Sequence, residues 1–169
     1  MPAACYAATT MTEPKLTHVD DEGRARMVDV GDKPATARRA EASGRLRMSA
    51  ATRDRVLAGD VPKGNVVEVA RIGGIQAAKR TAELIPLCHP LPLTHVDVQV
   101  EPHPEGLSVR ATAACRGPTG VEMEALTAAS VALLILYDMC KAIDKGMVIS
   151  DVRLESKSGG RAEWRREGP

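Results

Sequence analysis

The chain has 169 residues, 44% of them hydrophobic, enough for one domain with a real core and too apolar for a disordered one. Lys plus Arg number 23 against 22 Asp plus Glu, which argues against a bulk nucleic-acid or membrane binder but leaves room for a local basic pocket. Aromatics are 2% and Phe is absent, so the core must be built from Ala, Val, Leu, Ile and Met. Such side chains bury little area each and favour oligomerisation as a further source of burial.

Residues 1–14 read as a flexible leader and 15–169 as a single domain. The leader has neither the basic start and apolar stretch of a signal peptide nor the Arg richness of a transit peptide, and Met11 is an alternative start. Cys5, Cys88, Cys115 and Cys140 show no CxxC spacing. Neither a zinc site nor a disulfide framework is expected, and a reduced, cytoplasmic protein is. The longest apolar run, 125–137, is too short to span a bilayer.

In chain order, 25–30 and 36–48 read as strands, the second by alternating small or apolar residues with polar ones. A short helix follows over 49–58, with Ser49 as its cap and Gly59 as its end. Residues 63–85 read as one long helix stopped by Pro86; Gly73-Gly74 inside it signals a closely packed neighbour, either another helix or a ligand. A stiff loop, PLCHPLP, covers 86–92. Strands at 95–100 and 107–115 flank a turn around Pro104-Glu105-Gly106. The main helix spans 119–146, opened by a T-x-x-E capping box of Thr119 and Glu122 and closed by Gly146. Strands at 147–155 and near 161–165 complete the chain. Two long helices plus short ones against a mostly antiparallel sheet make an α+β fold.

The main helix carries Glu122 and Glu124 near one end and Asp138, Lys141, Asp144 and Lys145 near the other. Asp138 and Lys141 share a face. They fit an acid–base pair, and equally a surface ion pair or a complement to the negative helix end. Glu124 and Asp138 stand about 21 Å apart along a straight helix and cannot meet within it. Two such helices packed antiparallel about a two-fold axis would bring the glutamate end of one chain to the lysine end of the other, with Ala125, Ala128, Ala129, Ser130 and Ala132 permitting close approach. Lys63 at a helix start opposes the usual charge preference and hints at an anionic ligand. His89, fixed between prolines, fits a ligand contact or a bond to a backbone carbonyl. The turn Lys157-Ser158-Gly159-Gly160-Arg161 offers cations and free backbone donors for phosphate, though Gly-rich turns with flanking charge are frequent.

Four segments, LTHVDDEGRARMVDV (16–30), KGNVVEVARIGGIQAAKRTAELIPLCHPLPLTHV (63–96), TGVEMEALTAASVALLILYDMCKAIDKGM (119–147) and VRLESKSGG (152–160), together resemble the molybdenum cofactor biosynthesis protein C family, the cyclic pyranopterin monophosphate synthases. The resemblance implies a ferredoxin-like antiparallel sheet and a homohexamer, a trimer of dimers with sites at the dimer interface. It implies a lyase whose substrate is 3′,8-cyclo-7,8-dihydroguanosine triphosphate, supplied by a radical SAM enzyme. The products are cyclic pyranopterin monophosphate and pyrophosphate. Carried onto this chain, the general acid/base residues are Lys63, Asp138 and Lys141. Leu87, Cys88, His89 and Pro90 with Glu122, Met123 and Glu124 hold the base and sugar, and Arg38 and Lys157 bind the triphosphate. No metal site in the protein is implied, although a triphosphate can bring Mg²⁺ with it. A lysine among cations, partly desolvated, is expected to have a depressed pKa and to serve as a base. One departure stands out: the loop 115–118, Cys-Arg-Gly-Pro, is shorter than the family pattern and lacks its Gly-Lys ending.

Two other functions compete. A pterin- or nucleotide-binding module without catalysis would tolerate loss of any one of Lys63, Asp138 or Lys141. An RNA-binding domain of this fold needs exposed aromatics for stacking, which Tyr6, Tyr137 and Trp164 alone scarcely supply.

Overall fold

Alternation at Ala40, Ala42, Gly44 and Leu46 makes Thr36–Arg47 (β1) a strand with one buried and one polar face. In this computed structural model, which describes residues 18–20 and 22–168, β1 lies inside a five-stranded antiparallel sheet. The leader, with Cys5 and Met11, lies outside the described residues. Helices follow at Ala50–Ala58 (α1), Val66–Ala78 (α2) and Thr81–Leu84 (α3). A hairpin of Leu93–His103 (β2) and Gly106–Gly117 (β3) comes next, then Glu122–Cys140 (α4), Val148–Ser158 (β4) and Trp164–Arg165 (β5). The sheet order is β2-β3-β1-β4-β5. Without the β5 appendage this is the β-α-β-β-α-β arrangement of the ferredoxin-like fold.

The core lies between the sheet and the α2/α4 layer and is built from small residues. Ala40, Ala42, Ala111 and Ala113 of the sheet and Ala125, Ala128, Ala129 and Ala132 of α4 are completely buried, with Leu46, Leu107, Leu133 and Leu136 as the larger elements. Gly73 and Gly74 let α2 approach α4. A Cβ at Gly74 would stand 2.9 Å from the Ala128 carbonyl oxygen and 3.2 Å from the Ala132 Cβ. Of the two readings of that pair, close helix packing is the one found. It also reassigns the small residues of α4: all but Ser130 face their own core instead of an approaching copy.

Several boundaries differ from expectation, each for a local reason. Residues 25–30 form no strand; Ala25 makes one bridge to Val19, and the Val28 carbonyl accepts a bond from a side chain. The long helix expected over 63–85 is two: it starts at Val66, where the Asn65 side chain accepts from the Glu68 N–H, and it breaks at Lys79-Arg80 before α3. α4 starts at Glu122 with Val121 in the cap position and no side-chain cap, so Thr119 and Glu122 form no capping box. It ends at Cys140, short of Gly146. Ser49 and Gly59 do bound α1 as expected, Gly59 in the left-handed conformation that glycine adopts freely. At 19 residues α4 as a whole is long and apolar enough to cross a membrane by composition, which the shorter run 125–137 is not. Here it is a core helix, half of it buried against the sheet and α2.

Candidate active site

α4 is about 28 Å long at 1.5 Å per residue, and the candidate residues collect at its two ends. At the C-terminal end, Lys63 reaches over from the turn before α2. Its ammonium donates to the Asp138 carboxylate Oδ2 and to the Asp138 backbone carbonyl, both at 2.9 Å. Lys141, one turn beyond Asp138, places its Nζ 2.7 Å from Oδ1. Each oxygen of one carboxylate therefore meets its own ammonium. The two hydrogen bonds, Lys141 first and Lys63 second, hold the Asp138 carboxyl down to about 2. The same bond raises Lys141 above the ordinary lysine value, opposite to the depressed lysine expected from sequence. The expectation weighed the neighbouring cations and burial, whereas Lys141 is exposed and its nearest partner is an anion. Lys63 does not open a helix; it complements the negative end of α4 from outside.

At the N-terminal end two clefts meet. The first, of about 390 Å³, is lined by Leu87, Cys88, His89, Leu91, Val28 and Val30 on one side and Glu122, Met123 and Glu124 on the other. Pro90 is absent from that lining; the proline shapes the loop without facing the cleft. His89 Nε2 lies 2.8 Å from the Val28 carbonyl. A carbonyl only accepts, so Nε2 is the donor here and Nδ1 is the nitrogen left to face a ligand. Glu124, 4% exposed, has its carboxyl pushed upward by burial, and Glu122 adds to the shift. Burial likewise pushes up the Cys88 thiol, with Glu124 contributing, so Cys88 is a neutral wall residue and not a ready nucleophile.

The second cleft, of about 370 Å³, is lined by cations: Arg38, Lys157, Arg161 and Lys33. Lys157 pairs with Glu122 at 3.0 Å. Arg38 donates from Nε to the Gly117 carbonyl and from Nη2 to the Pro118 carbonyl, 3.2 Å each. Lys33, Thr119, Gly120 and Glu122 line both clefts, so the two form one bipartite surface, apolar and acidic on one side and cationic on the other. Sequence reading missed Lys33. It lies in a loop with no motif, and only the fold brings it to the junction.

The structure thus brings Leu87, Cys88, His89, Glu122, Met123 and Glu124 together, and beside them Arg38 and Lys157. Lys63, Asp138 and Lys141 form a separate cluster, and none of the three lines either cleft. Among the described residues, no group of three or more His, Cys, Asp or Glu side chains is placed to hold a metal ion.

Residues 27–160 match the MoaC family. A relative from Chloroflexus aggregans is 58% identical over 90% of this chain and 94% of its own length. Another, from Desulforapulum autotrophicum, is 59% identical over 87% of this chain and 91% of its own. A third, from Herpetosiphon aurantiacus, is 58% identical over 86% and 90%. Each is named cyclic pyranopterin monophosphate synthase. With the family model matched over most of its length and these relatives more than half identical, the chain belongs to the MoaC family.

Proposed function

We propose that this chain is a cyclic pyranopterin monophosphate synthase of molybdenum cofactor biosynthesis, a cytoplasmic lyase acting on 3′,8-cyclo-7,8-dihydroguanosine triphosphate. The observation that carries the substrate reading is the pair of joined clefts. The first suits a flat, polar heterocycle: half-buried Leu87 and Leu91 to pack on it, with Nδ1 of His89 and two carboxyls to bond its edge. The second suits a triphosphate, with Arg38, Lys157, Arg161 and Lys33 converging on it.

The chemistry divides accordingly. Opening the C–N linkage at the purine C8 needs a proton delivered to the departing nitrogen. Closing the cyclic phosphate at the α-phosphorus expels pyrophosphate, whose developing charge needs fixed cations. Lys141 and Lys63, both bound to ionised Asp138 in the free chain, are the proton carriers. At neutral pH Lys141 is charged and is therefore a donor first. It becomes a base only after giving up its proton or losing Asp138 as a partner. Any Mg²⁺ would arrive on the triphosphate.

The geometry of α4 supports a shared site. The cleft and the lysine cluster stand at opposite ends of one helix, so a single chain does not assemble both around one substrate. A second copy related by a two-fold axis would place its Asp138 end at this copy's cleft, as in the trimer-of-dimers hexamer that the family resemblance implies. Met123 and Leu134, exposed on α4, offer apolar surface for that approach. The test mixes Glu124→Ala with Lys141→Ala subunits and assays pyrophosphate together with the pterin product. Equal mixing should restore about a quarter of wild-type activity, because half the dimers are hybrid and each keeps one intact site. No recovery after verified subunit exchange would defeat the shared site. Turnover lost in Lys141→Ala while binding persists separates the lyase from a binding module.

A further inference from the structure

The entry to α4 carries a structural problem. Its cap position is Val121, which offers no side-chain acceptor, and Thr119 does not cap. Helix starts held by nothing fray, yet Thr119, Gly120 and Glu122 form the wall common to both clefts. Something outside the helix must hold them. On β1, Arg38 stands opposite Cys115 of β3, so its side chain reaches just past the end of the hairpin, where the chain turns toward α4. One edge of its guanidinium, Nε and Nη2, bridges the successive carbonyls of Gly117 and Pro118. The other nitrogen, Nη1, faces the turn between β4 and β5: a Cβ on Gly160 would stand 2.8 Å from it. That turn is itself pressed on β1. Thr36 Oγ1 donates to the Gly159 carbonyl at 2.7 Å, and a Cβ at Gly159, whose φ is +84°, would overlap the Ala37 carbonyl oxygen. The turn is packed, not the free set of phosphate donors that its glycines suggest.

We propose that Arg38 is a positioning residue, the keystone between the 117–120 loop and the 159–160 turn, and that its planar fork, more than its charge, shapes the triphosphate cleft. This rests on the two-cleft reading above and assigns Arg38 a different part from that of a simple phosphate ligand. Two of its donors are committed to carbonyls in the free chain. A lysine in its place keeps the charge but has no rigid fork to bridge two carbonyls and meet the second turn.

The experiment compares Arg38→Lys, Arg38→Gln and Lys33→Met in the intact protein. Three things are read: kcat and KM, inhibition by pyrophosphate, and amide hydrogen exchange of residues 119–122 without ligand, with amides of 107–113 in β3 as the folded standard. The keystone role expects Arg38→Lys and Arg38→Gln alike to lower kcat about tenfold or more and to speed exchange at 119–122. Pyrophosphate inhibition should weaken in Arg38→Lys about as much as in Arg38→Gln, although the lysine keeps the charge. Lys33→Met, which removes a cleft charge without touching the loop's bonds, should weaken pyrophosphate and leave exchange unchanged. If Arg38→Lys keeps wild-type kcat and exchange while Arg38→Gln only weakens pyrophosphate, Arg38 is a charge and the proposal is overturned. It is overturned too if Lys33→Met speeds exchange as much. Should Arg38→Gln not fold, Arg38→Lys decides alone. A wild-type chain without turnover would defeat the functional reading but leave the exchange result to judge the clamp.

Discussion

The two ends of α4 hold acids in opposite states. At the N-terminal end, Glu124 is enclosed and its carboxyl is pushed up by burial. At the C-terminal end, Asp138 is open to solvent and held down to about 2 by two lysines. Where environments separate two carboxyls in this way, the roles divide: one favours a neutral acid that bonds or donates, the other a permanent anion that orients cations. One helix thus presents an enclosed acid at the cleft and a lysine-orienting anion at its far end, too far apart to meet one molecule within one chain.

The sharpest way to break this comparison is Asp138→Asn. It keeps the shape and removes the anion on which both ammonium groups converge. Turnover should fall about 10²–10⁴-fold, the range for losing a positioned acid–base group, and Lys141 should lose its upward shift, read from the alkaline limb of the rate profile. Near wild-type kcat would mean that the ion cluster is only a helix-end complement. The acid side has a definite sign. The folded carboxyl lies below the ordinary 3.8, so its stabilisation is complete above 3.8 and is lost as pH falls toward 2. Asp138→Asn should flatten unfolding midpoints in that window, and again above the ordinary lysine value of 10.5, where the raised Lys141 gives up its proton.

Between the ends, the small-residue seam decides whether α4 is a rigid spacer. Gly74→Ala drives a methyl toward the Ala128 carbonyl, Val98 and Ala132, atoms that cannot step aside, and should cost about 1–3 kcal/mol in thermal unfolding. Gly73→Ala meets the terminal methyl of Ile135, a half-buried side chain, and should cost less. Equal losses would argue against an α2–α4 seam tightest at Gly74. Smaller again is Asp144→Ala. Asp144 accepts the Ser49 N–H at 2.9 Å and the Gly146 N–H at 3.0 Å, pinning the turn beyond Lys141 to the start of α1. Its loss should cost about 1 kcal/mol, and the midpoint at pH 7 measures it.

What the sequence made legible follows from range. Strand alternation in β1, the Ser49 and Gly59 bounds of α1 and the hairpin turn are local patterns, and each is found. The Asp138–Lys141 pair is local too, one helical turn apart. Lys63 stood out as a cation at an expected helix start, but its place beside Asp138 came only through family resemblance, because that bond joins residues 75 apart. The T-x-x-E box misled because a capping pattern competes with tertiary anchors: Glu122 is bound to Lys157 and the preceding carbonyls to Arg38. Lys33 and the packed 159–160 turn had no local signal at all. The alanines of α4 were legible as small but not as to which partner they faced; the answer was α2 and the sheet of the same chain.

Glu124→Gln sharpens the remaining half of the comparison, and its sign runs opposite to that of Asp138. Below the ordinary carboxyl value of 4.5, folded and unfolded chains both hold the proton, and Glu124 costs nothing. As pH rises through 4.5, the unfolded chain releases it while the folded chain, with its raised carboxyl, retains it; stability declines until pH passes the folded value and is constant beyond. Glutamine mimics the protonated form at every pH. The variant should match wild type near pH 4 and melt higher at pH 7. It should also be slower in turnover, since an enclosed acid at a cleft is a stability cost retained for function. Melting curves that coincide at both pH values would show Glu124 to be a carboxylate at ease in its surroundings, and the contrast between the two ends of the helix would rest on Asp138 alone.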